Sequence, residues 1–196
     1  MNGKVHHFGA IGLTNGLAIL ADRETRTHWD HITGEALSGP FTGYQLDVWS
    51  IHMTTVAAAR MESPDIPVSF SEYRSLRRKL AQRLYPYFIH RKVWLPGFFY
   101  ASMNEPIDPR LDKLAQGLGV IVGKKAKYYP LNQIPAEGIQ DHWLGRNLCV
   151  ERNAISGVPQ ARWQNTNEEP MQLLSRWYGF SFTYPQCEIY KPQNMD

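Results

Sequence analysis

Two histidines and two carboxylates fall within HWDHITGE, residues 28 to 35. Its first residues read as a β-strand, where successive side chains alternate between faces, so His28 and Asp30 share one face while Trp29 and His31 share the other. That geometry excludes a helical two-histidine motif and leaves one His/carboxylate pair. Such a pair is the beginning of a divalent transition-metal site, with His6, His7 or Glu35 as candidates for the missing ligands. The alternative is a pair that simply hydrogen-bonds at a solvent-facing edge. A second constellation combines Glu35, Glu137 and Asp141 with Arg23. A carboxylate works as a general acid or base when burial or a like-charged neighbour raises its pKa towards neutrality, and an arginine beside it would hold an anionic group or a developing oxyanion. The competing structural reading has Asp141 opening a tight turn and Asp22 paired with Arg23 as a buried ion pair. A third possibility is nucleophilic: with a turn at Gly145 and Arg146 in HWLGRNLC, His142 faces Cys149 as a thiolate–imidazole pair requires. A buried cysteine beside a surface histidine explains the same residues more simply.

The elements that must position these groups are legible from period and turn chemistry. VHHFGAIGLTNGLAILADRE has two apolar runs around Asn15-Gly16, the dipeptide that best supplies a type I′ turn. A two-residue turn there sets Leu13 against Ala18, Gly9 against Asp22 and His7 against Glu24, with apolar side chains on both faces, as in a central pair of strands. THWDHI is a third strand. TTVAAARM is a helix that stops before Pro64. SFSEYRSLRRKLAQRLY is a second helix, with Ser69 and Glu72 as a capping box and Tyr73, Leu76, Leu80 and Leu84 as its apolar stripe. After a Pro- and aromatic-rich connection, GLGVIVGKKAKYYPL and IQDHWLGRNLCVERN read as hairpins and VPQARW as a further strand. PMQLLSRWYGFSFTYPQCEIY reads as a helix and then a terminal strand. Val56 to Pro64 has the same spacing as Trp177 to Pro185, which points to an internal echo. The expected fold is α+β, mainly antiparallel β, in two related β-rich units each ending in a helix and an edge strand. They form one compact domain over 1–196, with units near 1–70 and 117–190 joined by residues 71–116.

Composition narrows the class. A hydrophobic content of 43% with 20% charged residues is that of a folded globular chain, outside the regime of disorder. The net charge of +3 is too small an excess to argue for nucleic acid without a clustered patch, and the Arg77-Arg78-Lys79 face is more economically a solvated helix surface. No apolar run approaches a signal peptide or a membrane span, so the expected address is the cytoplasm, with no membrane partner. Cys149 and Cys187 lack any C-x-x-C spacing, which argues against a disulfide framework or a cysteine-rich zinc site.

Several spaced motifs occur in order. FGAIGLTNGLAILADRETRTHWDHITGEALSGPFTG resembles the F-G-x-x-G, N-x-L, D-R-x-T, Trp and G-E-A pattern of the prokaryotic domain of unknown function 3179 (DUF3179). GVIVGKKAKYYPLNQIPAEGIQDHWLGRNLCV is similar to that family's Y-P-L element and the acidic strand after it. The positions that match are Asn15, Asp22, Arg23, Trp29, Glu35, Tyr129, Glu137 and Asp141. Two departures accompany them: these 196 residues contain no C-P-x-C element, and Ala136 and Gln140 stand where relatives often have His and Asn. The resemblance implies a fold but carries no activity to transfer.

The expectation is therefore a small enzyme with a cleft between its two units. Asp141, Glu35 and Glu137 supply acid/base carboxylates, Arg23 an anion contact, and Asn15, Asp22, Trp29 and Tyr129 the substrate contacts. His28 and Asp30 are reserve ligands for a divalent transition metal. The rival is a non-catalytic module that binds a small ligand or a protein through an aromatic-lined groove.

Overall fold

The computed structural model describes residues 3–15, 17–49, 51, 53–69, 80, 83, 101–103, 106–166 and 168–192. Apart from residues 69, 80 and 83, the helix expected over residues 69–85 lies outside these, as does most of the connection after it.

β1 (Phe8–Thr14) and β2 (Leu17–Asp22) form the expected antiparallel hairpin. Asn15 enters the turn with φ of 50°, a conformation its short polar side chain tolerates. Leu13 faces Ala18, but a bulge between Ala10 and Gly12 shifts the register, so Phe8 rather than Gly9 lies opposite Asp22. β3 (His28–Asp30) and β4 (Ala36–Ser38) complete a four-stranded meander in the order β1-β2-β3-β4. β1 is thus an edge of this sheet, against the expectation of a central pair, and its Phe8, Ile11 and Leu13 stay substantially exposed. Apolar residues on both faces of a strand do not reveal how many neighbours it has. The meander's interior is aromatic, with Trp29 packed against Phe8 and Phe41 at ring separations of 6.0 and 6.2 Å. The first unit closes with α1 (Val56–Glu62), whose N-terminus is capped by Thr55 Oγ1 accepting from the Ala58 amide at 3.1 Å. No strand follows α1 in residues 63–69.

The second unit contains two sheets. β5 (Gln116–Val122) and β6 (Lys125–Pro130) are the expected hairpin. β7 (Ile139–Trp143), β8 (Arg146–Arg152) and β9 (Pro159–Trp163) form a three-stranded antiparallel sheet. In PMQLLSRWYGFSFTYPQCEIY, expected as a helix and then a terminal strand, the part before Pro185 divides into β10 (Met171–Arg176) and α2 (Trp177–Thr183). β10 pairs with β5 over its whole length, because the alternation of Met171, Leu173 and Ser175 against Gln172, Leu174 and Arg176 suits two covered faces. β11 (Glu188–Ile189) adds to β6 in parallel, giving the order β10-β5-β6-β11.

One face of that sheet packs on β7-β8-β9 through Leu118, Val120, Tyr129, Trp143, Leu148 and Trp163. The other carries α2, with Tyr128, Trp177, Phe180 and Cys187. Gln172 links the two sheets: its amide accepts from the Ala161 N–H at 2.7 Å and donates to the Ala161 carbonyl at 3.1 Å. The architecture is α+β with antiparallel sheet dominant, in two β-rich units that each end in a seven-residue helix.

Candidate functional site

A cavity of about 660 Å³ lies between the two units. Leu17 and Leu20 of β2, Trp29 and Asp30 of β3, residues 46–49, Ile51 and Met53 build one wall; Met171 to Arg176 of β10 with Tyr178 and Gly179 of α2 build the other. Two glycines permit the close approach. A Cβ on Gly179 would meet the Leu17 side chain at 2.9 Å, so the leucine would have to shift for α2 to rest on β2 as it does. Gly34, at φ of 73°, lets the Leu46 backbone run beside it, where the Leu46 N–H donates to the Gly34 carbonyl at 2.9 Å. The wall segment that follows is apolar and open, with Trp49 and Ile51 each 75% exposed. The cavity's polar groups are few. Asp30 spends Oδ1 on the Ile32 and Thr33 amides at 2.7 and 3.0 Å, and His31 Nδ1 is 2.7 Å from the Ala18 carbonyl. Arg176 borders the cavity and forms no ion pair among the described residues.

Trp29 is held from behind by Asp22. The Trp29 Nε1–H donates to Asp22 Oδ2 at 3.1 Å, while the Thr25 amide and hydroxyl donate to Oδ1 at 2.6 and 2.7 Å. Burial alone would raise the Asp22 pKa. The hydrogen bonds from Thr25 and Trp29, with His6 beside them, overcome this and hold the carboxyl well below the usual carboxylate range. The Asp22–Arg23 ion pair considered from sequence does not form; Arg23 is exposed, and Asp22 closes the turn to Thr27 instead.

The other sequence candidates are dispersed. Glu35 and Glu137 are exposed and contact neither each other nor Arg23. His28 is also exposed, with Nδ1 3.1 Å from Ser38 Oγ, so the His28/Asp30 pair is occupied by a strand contact and a turn. Asn15 is buried beside a second cavity of about 400 Å³ bordered by Asp108, Tyr178 and Ser181. Of the proposed site residues, Trp29 and Asp30 reach the main cavity directly, and Asp22 acts on it through Trp29.

Asp141 and Tyr129 do meet, but in the core of the second unit. The Tyr129 hydroxyl donates to Asp141 Oδ2 at 2.7 Å, and Lys127 Nζ lies 2.5 Å from the same oxygen. Lys127 also sits 5.7 and 5.9 Å from the Tyr129 and Tyr190 ring centres. Burial, and then the Asp141 carboxylate, push the Tyr129 phenol far above its ordinary value. Lys127 carried no signal in sequence, since a lysine between two strand residues reads as solvent-facing. Asp141 lies within β7 and opens no turn. The β7–β8 turn uses Leu144 and Gly145, at φ of 52° and 73°, rather than Gly145 and Arg146, because a type I′ turn favours glycine at its second position. The register moves accordingly: Gln140 lies opposite Cys149, and His142 opposite Asn147. Cys149 Sγ donates to Glu151 Oε1 at 2.9 Å, and its pKa is pushed up to about 11 by burial and then by Glu151. No thiolate–imidazole pair exists there.

A family model described as "Protein of unknown function (DUF3179)" matches residues 1–174. That span covers the first unit and the second as far as Leu174, including all of the motif residues. No curated protein and no solved structure matches the chain. Among the described residues, no helix is long and apolar enough to cross a membrane.

Proposed function

The chain belongs to the family described as Protein of unknown function (DUF3179), and from that premise we propose that it is a cytoplasmic module binding a small, mainly apolar ligand between its two units. The supporting observation is the cavity of about 660 Å³, within the range of roughly 300–1,000 Å³ that small-molecule sites occupy. Its Trp29 wall is preorganised, because the indole is fixed by a hydrogen bond to a buried carboxylate that is itself tied to a turn. Arg176 offers a cation for an acidic end of the ligand. The two described cysteines are free and buried, in keeping with a reducing compartment. The acid/base reading draws less support: Arg23, Glu35, Glu137 and Asp141 do not border the cavity.

Fluorescence titration with the apolar sulfonate dye 1-anilinonaphthalene-8-sulfonate tests this reading. The expected result is saturable binding of one dye per chain, lost when Leu174→Trp or Leu20→Trp fills the cavity from either wall, and weakened by Arg176→Gln. Dye binding that does not saturate, or that survives both filling substitutions in folded protein, would refute it.

A further inference from the structure

The bulge in the first hairpin has a chemical consequence. With Phe8 opposite Asp22, the Arg23 N–H donates to the His7 carbonyl at 3.0 Å as β2 gives way to the turn at residues 23–25, and His6 comes to lie against Asp22, its Nδ1 3.3 Å from Oδ1. One ligating atom from each of His6, Asp22 and Glu24 lies within 4.8 Å of the other two. We propose that these three residues bind a divalent first-row transition-metal ion, at a site separate from the cavity.

The charges argue for a cation at this point. The Asp22 carboxylate accepts from the Thr25 amide and the Trp29 indole, and the Glu24 carboxylate accepts from the His7 amide and lies 2.7 Å from the His7 ring. Two carboxylates thus lie beside the His6 imidazole, Glu24 also meeting the His7 ring, and among the described residues no lysine or arginine pairs with either. The imidazole is nearly sealed, its side chain 5% exposed, with Nδ1 3.3 Å from Asp22 Oδ1 and its ring edge against Phe41. Two carboxylates this close repel one another, and a doubly charged ion between them would offset that repulsion.

The surroundings match those of metal ligands. Ligating carboxylates are ordinarily held by outer hydrogen bonds that fix their orientation. Asp22 is held by Thr25 and Trp29; Glu24 is held by the His7 N–H at 2.9 Å and the His7 Nδ1 at 2.7 Å. The Glu24 side chain remains 32% exposed, which leaves a side open for ion entry and for water to complete the coordination. One imidazole with two carboxylates suits Zn²⁺ or Mn²⁺.

The experiment is calorimetric titration of the chelator-treated full chain with Zn²⁺ and with Mn²⁺. One ion per chain should bind. Glu24→Gln, at a position whose loss leaves the Asp22 turn intact, should weaken binding by at least ~10-fold, as should His6→Asn. His28→Asn should leave it unchanged, because that imidazole serves Ser38. Absence of stoichiometric binding by either ion, or binding that survives Glu24→Gln, overturns the assignment. Should His6→Asn fail to fold, Glu24→Gln decides alone.

Discussion

Replacing Lys127 by methionine should destabilise the protein far more than loss of a surface lysine. Lys127 and Asp141 are 11% and 14% exposed at their side chains, and Nζ is 2.5 Å from Oδ2. Breaking a buried ion pair from one side costs about 3–5 kcal/mol, because the remaining charge is stranded. The residual exposure and the Tyr129 hydroxyl, which still donates to Asp141, place Lys127→Met at the low end, about 3 kcal/mol. Asp141→Asn leaves an amide oxygen for Tyr129 and strands a cation that two tyrosine rings still face, so its cost should be lower, about 2 kcal/mol. The double variant strands no charge and should cost no more than about 2 kcal/mol, an interaction energy near 3 kcal/mol. Urea unfolding of the four proteins at neutral pH measures this cycle. In thermal scans Lys127→Met should lower Tm by about 6–12 °C, at roughly 2–4 °C per kcal/mol for a chain of this length. Single costs below ~1 kcal/mol that simply add would mean that the pair behaves as an exposed one, and the argument from burial would fail.

Leu144 adopts φ of 52° in a turn that prefers Asn-Gly; Leu144→Asn should therefore stabilise by roughly 0.5–1 kcal/mol in the same assay. A Cβ on Gly119 would enter the Phe180 ring, so Gly119→Ala should cost about 2–3 kcal/mol. Gly9→Ala, where a Cβ meets nothing, should change stability by less than ~0.5 kcal/mol. Asp22 has a folded-state pKa below its unfolded value, so its contribution is complete above the unfolded pKa near ~4 and declines as pH falls towards the folded value. Asp22→Asn should accordingly be less stable at pH 7 and show a shallower loss between pH 5 and pH 2, measured by urea midpoints. With its pKa near 11, Cys149 should be ~0.1% thiolate at pH 8 and react with iodoacetamide much more slowly than a free thiol. His142→Ala should not alter that rate.

Much of the fold was local and therefore legible. Asn15-Gly16 between apolar runs specified the first hairpin, Gly123 the second, and the alanines before Pro64 the first helix. The equal spacing of Val56 to Pro64 and Trp177 to Pro185 pointed to an internal echo, and a seven-residue helix stands before each of these prolines. Less could be read where neighbours decide. Met171–Arg176 carries leucines that suit either period, and pairing with β5 makes it a strand. Glu35 and Asp141 had equal standing as carboxylates, yet one is exposed and the other is bonded to Lys127 and Tyr129.

From its residues alone, this chain determined most of its hairpins and its first short helix, because turn chemistry and side-chain period act over a few neighbours. It also marked Asp22 and Trp29 as motif positions. Three things required the tertiary structure: the one-residue bulge that sets Phe8 opposite Asp22 and brings His6 beside it, the burial of Lys127 beside Asp141, and the cavity between β2–β3 and β10–α2. Each depends on which surfaces adjoin after distant segments pack, and the free energy that selects those contacts is distributed over both units rather than written in any one stretch.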